Sequence, residues 1–225
     1  MSDRLRVRLS TARLYLVCDE QPDAFLAAVL GAGVDILQLR MKDAGEEAVV
    51  AAGRRFARAA ERFGALFVLN DRPDLVAAIG ADGVHVGQDD VSVDEARAII
   101  GPDRLIGLST HSPEQVEAAA GVPVDYIGVG PVHATPTKPG RPPVGLELVR
   151  YAAAHATVPF FAIGGISPSN LEAVRDAGAE RIAVVRALTD AADPVAATRS
   201  LRSGLGLGLA EPAHEIASKV RLGAA

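Results

Sequence analysis

Eight short apolar runs recur along this chain, and alanine-rich segments with helical spacing lie between them. The runs are RLYLVC (13–18), DILQLR (35–40), ALFVLN (65–70), DGVHVG (82–87), RLIGLS (104–109), DYIGVG (125–130), PFFAIG (159–164) and RIAVVR (181–186). A strand apolar at nearly every position is covered on both faces, which fits a parallel sheet better than a half-exposed antiparallel one. The helical period is plainest in EEAVVAAGRRFARAAERFG, where Val49, Val50, Phe56 and Ala60 share a face and the arginines point away. Start signals recur in DRPDLVAAIG, SVDEARAIIG and SPSNLEAVRDAG, and Gly80, Gly101, Gly121 and Gly178 stand where helices should stop. Eight evenly spaced strand–helix units predict a compact (β/α)8 TIM barrel, a single α/β domain over residues 12–205. Residues 206–225 read as a short C-terminal tail with a helix around AHEIASKVR. An open doubly wound sheet is the rival, but LYLVCDEQPD has no glycine-rich fingerprint after the first strand. GLGLGLA follows no strand and reads as the exit from the last helix.

Composition narrows the function classes. A chain of 225 residues, 49% of them hydrophobic, can bury the core of one large α/β domain. A net charge of −5 without any lysine–arginine run argues against nucleic acid or an anionic membrane surface as partner. Cys18 is the only cysteine, so no intrachain disulfide or cysteine-based zinc cluster can form, and a small buried hydrophobe is its expected role. MSDRLRVRLS has no apolar core of a secretory signal, and no apolar stretch approaches the roughly 20 residues that span a bilayer. A soluble cytoplasmic protein is expected.

A barrel collects its chemistry at the C-terminal ends of its strands. Those ends bring Gln38, Arg40 and Lys42 after the second run, Asn70 and Asp71 after the third, and His85, Gln88, Asp89 and Asp90 around the fourth. Ser109 closes the fifth, and HATPTKPG, with Thr135, Thr137 and Lys138, follows the sixth. Pro136 and Pro139 stiffen that loop, which suits either an anionic ligand or an ordinary solvated turn. Arg40, Lys42 and Lys138 are cations close to the acids Asp71 and Asp90. A metal-bound polyphosphate would satisfy both sets, since Mg2+ takes one or two carboxylates plus phosphate oxygens. Simple rim ion pairs, Arg40–Asp71 and Lys42–Asp90, are the plainer alternative.

The ends of the seventh and eighth runs suggest a second anion site, with Gly164 and Gly165 open to close approach and Arg186 adding charge. The glycines equally suit a tight turn. His85 is either an inward core residue or a functional one. His111 and His133 lie at the rim without a paired carboxylate beside them in sequence, and His155 and His214 read as surface residues. No metal-ligand histidine spacing appears.

QLRMK, LND, GVHVGQDD, LS, GPVHATPTK and AIGGI, in that order, resemble the thiamine-phosphate synthase family from about Tyr15 to Leu188. The resemblance implies an enzyme joining 4-amino-2-methyl-5-hydroxymethylpyrimidine diphosphate to a thiazole phosphate, with release of pyrophosphate. It implies that Gln38, Arg40, Lys42, Asn70, Ser109 and Lys138 hold the pyrimidine diphosphate, with Leu39 and Met41 in the same QLRMK segment. Arg40, Lys42, Ser109 and Lys138 would be the catalytic set, and Asp71 and Asp90 the Mg2+ ligands. Thr135, Pro136, Thr137, Gly165, Val185 and Arg186 would hold the thiazole phosphate. Three residues depart from the family pattern: Met41 replaces a usual acid, Arg186 a frequent serine, and Asp89 a common glutamate. The expected partners are two phosphorylated small molecules, with a homo-oligomer left open. Two other readings stay open: a thiazole tautomerase of related fold using His111 or His133, and a non-catalytic regulator that keeps the phosphate sites.

Overall fold

In the computed structural model, which describes residues 2–134 and 142–208, the eight apolar runs are eight parallel strands. They are β1 (Leu14–Cys18), β2 (Ile36–Leu39), β3 (Leu66–Asn70), β4 (Gly83–Val86), β5 (Leu105–Thr110), β6 (Tyr126–Val129), β7 (Phe160–Ile163) and β8 (Ile182–Val184). Neighbours in sequence pair in register, and β8 pairs back onto β1, closing a (β/α)8 barrel. The helices are α1 (Ser2–Thr11), α2 (Asp23–Gly31), α3 (Glu46–Phe63), α4 (Val76–Ile79), α5 (Val93–Ile100), α6 (Pro113–Ala118), α7 (Gly145–His155), α8 (Leu171–Asp176), α9 (Arg186–Thr189) and α10 (Pro194–Gly204). Local chemistry sets their limits. Ser92 and Glu95 form a reciprocal capping box at the start of α5, and Gly64, at φ 70°, takes the left-handed conformation that ends α3. Gly80, Gly101 and Gly178 close their helices as expected, whereas Gly121 ends a short 3-10 turn.

The strand period of two divides the apolar residues into two cores. Leu14, Leu16, Leu37, Leu39, Phe67, Leu69, Val84 and Ile106 face outward and pack under the helices. Tyr15, Val17, Ile36, Leu66, Val68, Leu105, Tyr126 and Phe161 fill the interior. The N-terminal segment, from which the sequence suggested no element, forms α1. It lies ahead of the expected domain start at residue 12 and sets Leu5 and Leu9 against the base of the interior core.

The base is tied by a repeated device. Asp35, Asp82 and Asp125 each precede an even-numbered strand and accept backbone N–H groups at the start of the strand before it. Asp35 accepts from Arg13 and Leu14 at 2.8 and 2.9 Å, Asp82 from Phe67 at 2.9 Å, and Asp125 from Ile106 at 2.7 Å. These bonds satisfy donors at the strand entries. Asp125 also pairs with Arg6 of α1 at 2.7 Å and Arg97 of α5 at 2.8 Å, so it joins base, plug and outer ring. With the base closed in this way, the opposite rim is where a ligand can enter. Among the described residues no helix is long and apolar enough to cross a membrane.

Candidate active site

The same alternation that fills the lower interior with Ile36, Leu66 and Leu105 turns polar toward the C-terminal ends of the strands. Gln38, Asn70, His85 and Ser109 then line a cavity of about 390 Å3 that opens at the C-terminal rim. That volume lies within the range of small-molecule sites, roughly 300–1,000 Å3. Arg40 lines the same cavity from the end of β2, and Gly165, Val185 and Arg186 line it from the ends of β7 and β8. Members of both expected groups, Gln38, Arg40, Asn70 and Ser109 on one side and Gly165, Val185 and Arg186 on the other, thus line one space.

Beside this cavity, the charged groups form a separate cluster on the same rim. Lys42 Nζ stands 3.0 Å from the Asp71 carboxylate. The expected plain pairings were Arg40–Asp71 and Lys42–Asp90; Lys42 pairs with Asp71 instead, and Arg40 has no ion-pair partner among the described residues. Asp71 is the one described non-glycine residue with positive φ, 61°, a conformation that costs energy and is tolerated best by Asn and Asp. Its N–H donates to the His85 carbonyl at 2.9 Å, which pins the turn between β3 and β4. Burial pushes the Asp71 carboxyl up, Lys42 pulls it down, and the adjacent Asp90 pushes it up again. Asp90 is oriented by the Gly87 N–H, which donates to it at 2.9 Å.

Two carboxylates this close oppose each other's ionisation, and a cation between them removes the conflict. No group of three or more metal-ligating side chains occurs among the described residues. A pair of carboxylates with open positions suits an ion that completes its shell with substrate phosphate oxygens and water, as Mg2+ does.

Other expected residues fall in different places. The Leu39 side chain points into the outer core and Met41 packs against it, so neither side chain faces the cavity. Arg186 Nε donates to Asp190 at 2.6 Å along α9, with both side chains about half exposed at the cavity edge. Gly165 is shaped by its neighbours: its carbonyl accepts from Asn170 at 2.8 Å, and a Cβ there would meet the His133 side chain at 2.8 Å. Thr135, Pro136, Thr137 and Lys138, and the tail helix expected around residues 213–221, lie outside the described residues.

His85, for which two roles stood open, faces the interior and lines the cavity. His111 also lines it and donates from Nδ1 to the Gly130 carbonyl. The His133 Nε2 is buried without a hydrogen-bond partner among the described residues, His155 stacks on Tyr151 at the surface, and Cys18 is buried, which pushes its thiol up.

Sequence reasoning missed Tyr15, Tyr126 and Asp190 as cavity residues. A tyrosine within an apolar run reads as core, and only its inward parity, shared with Gln38 and His85, distinguishes it.

Residues 14–188 match the model of the thiamine monophosphate synthase family. A relative named thiamine-phosphate synthase in Acidothermus cellulolyticus is 51% identical over 89% of this chain and 98% of that protein. One of the same name in Gloeobacter violaceus is 53% identical over 84% of this chain, which spans 56% of that longer protein. Among solved structures, the thiamine phosphate pyrophosphorylase of Pyrococcus furiosus superposes with a TM-score of 0.80 at 32% identity, over 90% of this chain and 98% of that one. With barrel, rim and relatives in agreement, the chain belongs to the thiamine monophosphate synthase family, and it is a transferase.

Proposed function

We propose that the protein joins 4-amino-2-methyl-5-hydroxymethylpyrimidine diphosphate to 4-methyl-5-(2-phosphoethyl)thiazole, giving thiamine monophosphate and pyrophosphate. The observation that carries this reading is the single cavity bordered by Arg40, Gln38 and Asn70 on one side and by Gly165, Val185 and Arg186 on the other. A reaction between two phosphorylated molecules needs both held at once with the reacting atoms in reach.

The bond that breaks joins the pyrimidine's methylene carbon to the diphosphate oxygen, and the electron pair leaves with pyrophosphate. The amino-substituted ring stabilises the resulting cation, and the thiazole nitrogen supplies the pair for the new C–N bond. No protein nucleophile is required, so the chain's contribution is positioning and charge stabilisation. Arg40 and Lys42, with Lys138, offset the charge that develops on the leaving group. Asn70, Gln38 and Ser109 orient the pyrimidine diphosphate. Gly165 and Val185, with Thr135 and Thr137, receive the thiazole phosphate. Asp71 and Asp90 would hold Mg2+, which when bound supplies further positive charge to the diphosphate.

The test is turnover of both substrates with Mg2+, following thiamine monophosphate and pyrophosphate together. Equal amounts of the two products, absent when either substrate or Mg2+ is withheld, are the expected result. Pyrophosphate release without coupling, or no turnover, overturns the reading.

A further inference from the structure

A continuous line of hydrogen bonds crosses the barrel interior along the wall of the cavity. Gln38 Nε2 donates to the Tyr15 hydroxyl at 2.6 Å, the Tyr15 and Tyr126 hydroxyls are 2.9 Å apart, and Tyr126 Oη lies 3.2 Å from His85 Nδ1. On the far side of the imidazole, His85 Nε2 is 2.9 Å from Ser109 Oγ. Five strands, β1, β2, β4, β5 and β6, each contribute one member.

Each phenol has a single proton but can accept more than one, so the order follows from leaving no buried proton unpaired. Tyr15 accepts from Gln38, and the acceptor within reach of its own proton is the Tyr126 oxygen, 2.9 Å away. Tyr126 then has its own proton free for His85 Nδ1, which must accept it. The neutral imidazole therefore carries its hydrogen on Nε2 and donates it to Ser109. The serine oxygen is occupied as an acceptor, and its hydroxyl hydrogen is left to point into the cavity.

The surroundings keep both phenols protonated and their rings fixed. Tyr15 and Tyr126 are fully buried, and burial pushes both phenols far above the usual tyrosine range, so both stay protonated donors. Phe161 meets both rings edge-on, at 5.4 and 5.6 Å between centroids. Gly107 leaves room for the contact: a Cβ there would run into the Tyr126 ring and stand 2.5 Å from His85 Nδ1. The line is also unlike a nucleophile-activating triad. There the nitrogen nearest the serine must be free to take its proton; here it is the one that carries hydrogen.

We infer that His85, fixed as the Nε2–H tautomer by the Tyr15–Tyr126 pair, is a positioning residue that aims the Ser109 hydroxyl proton at an acceptor atom of the pyrimidine diphosphate. The inference rests on the proposed function for the identity of that acceptor; the proton order itself does not.

Protein labelled with 15N-histidine reports the tautomer through the two ring-nitrogen shifts of His85, assigned by their loss in His85→Gln. The wild type should show a protonated Nε2 and an unprotonated Nδ1 without any substrate present. Tyr126→Phe keeps the ring and removes only the hydroxyl. It should move the His85 shifts toward the Nδ1–H form and lower kcat about tenfold, the cost of one well-placed hydrogen bond. Both KM values should stay within about twofold of the wild type. In a Ser109→Ala background, Tyr126→Phe should cost nothing further, because the group it acts through is gone. A protonated Nδ1 in the wild type overturns the inference whether or not Tyr126→Phe folds. So does a Tyr126→Phe loss that is equally large without Ser109. If the wild type turns over neither substrate, the functional reading fails, and the ring-nitrogen shifts still decide the proton order.

Discussion

Asp71 combines a left-handed backbone with partial burial and a like-charged neighbour, and the last two oppose an ionised carboxylate there. For an acid whose folded-state pKa is raised, ionisation costs stability above that pKa, and the cost is absent below the unfolded value. Asp71→Asn tolerates the positive φ and removes the charge, so at neutral pH its Tm should equal or exceed that of the wild type. Turnover in Mg2+ should nonetheless fall by about a hundredfold or more, at least roughly 2.7 kcal/mol of transition-state stabilisation. A stable, inactive variant is the result that separates a metal ligand from a structural ion pair. Asp90→Ala should lose activity similarly, and normal turnover in that variant would move the role to Asp89. Arg186, where a serine is frequent in the family, is engaged by Asp190 at 2.6 Å. Arg186→Ser should therefore change the thiazole-phosphate KM by less than about threefold, and Asp190→Ala, which releases the guanidinium, should lower it by a similar factor. A tenfold rise in KM for Arg186→Ser, shrinking as salt is added, would show instead that the arginine grips the phosphate.

At the scale of elements, Asp125 ties three pieces together, and its partners are unequal. The Arg6 side chain is 38% exposed and the Asp125 side chain 6%. Arg6→Ala leaves Asp125 still bonded to Arg97 and the Ile106 N–H, so its loss should be within about 1 kcal/mol. Asp125→Ala leaves the Ile106 N–H without its acceptor and takes the carboxylate from the partly buried Arg97, which keeps its carbonyl partners, and should cost about 2 kcal/mol or more in denaturant unfolding. Equal losses for the two would mean that α1, not the strand entry, depends on the aspartate. The contrast between α1 and the strands also explains what could be read beforehand. All eight strands lie within a residue or two of the apolar runs, because a strand buried on both faces leaves a continuous record in sequence. Among its described side chains α1 buries only Leu9 fully, with Leu5 beside it, among Arg4, Arg6 and Arg8, and so leaves no continuous apolar record in sequence. The rim followed from topology, since strand ends are legible once strands are. The pairing of Lys42 with Asp71 and the tyrosine line were not legible, because both depend on side-chain reach across strands rather than on spacing along one.

For the whole molecule, closure depends on the last helix. β8 contributes three residues, and α10 then packs across α2 with Leu201 and Thr198 fully buried. Arg202 Nη1 donates to the Gly33 carbonyl at 2.7 Å, so the end of the described chain is fastened to the turn between α2 and β2. The last described contact comes from Gly208, whose carbonyl accepts from Arg202 Nη2 at 3.3 Å. A chain ending at Gly208 keeps the contacts of α10 with α2 and with the Gly33 carbonyl. Its Tm should lie within about 2 °C of that of the 225-residue chain, and its kcat within about twofold. Ending the chain at Asp193 instead removes the buried Leu201 and uncovers α2. Losing one buried leucine side chain alone costs about 2–5 kcal/mol, a large share of the roughly 5–15 kcal/mol that holds a domain folded. That shorter chain should fail to give a cooperative melt. If the chain ending at Gly208 folds with an unchanged Tm but loses turnover, residues 209–225 take part in the reaction rather than in the barrel, and the catalytic unit extends beyond 12–205.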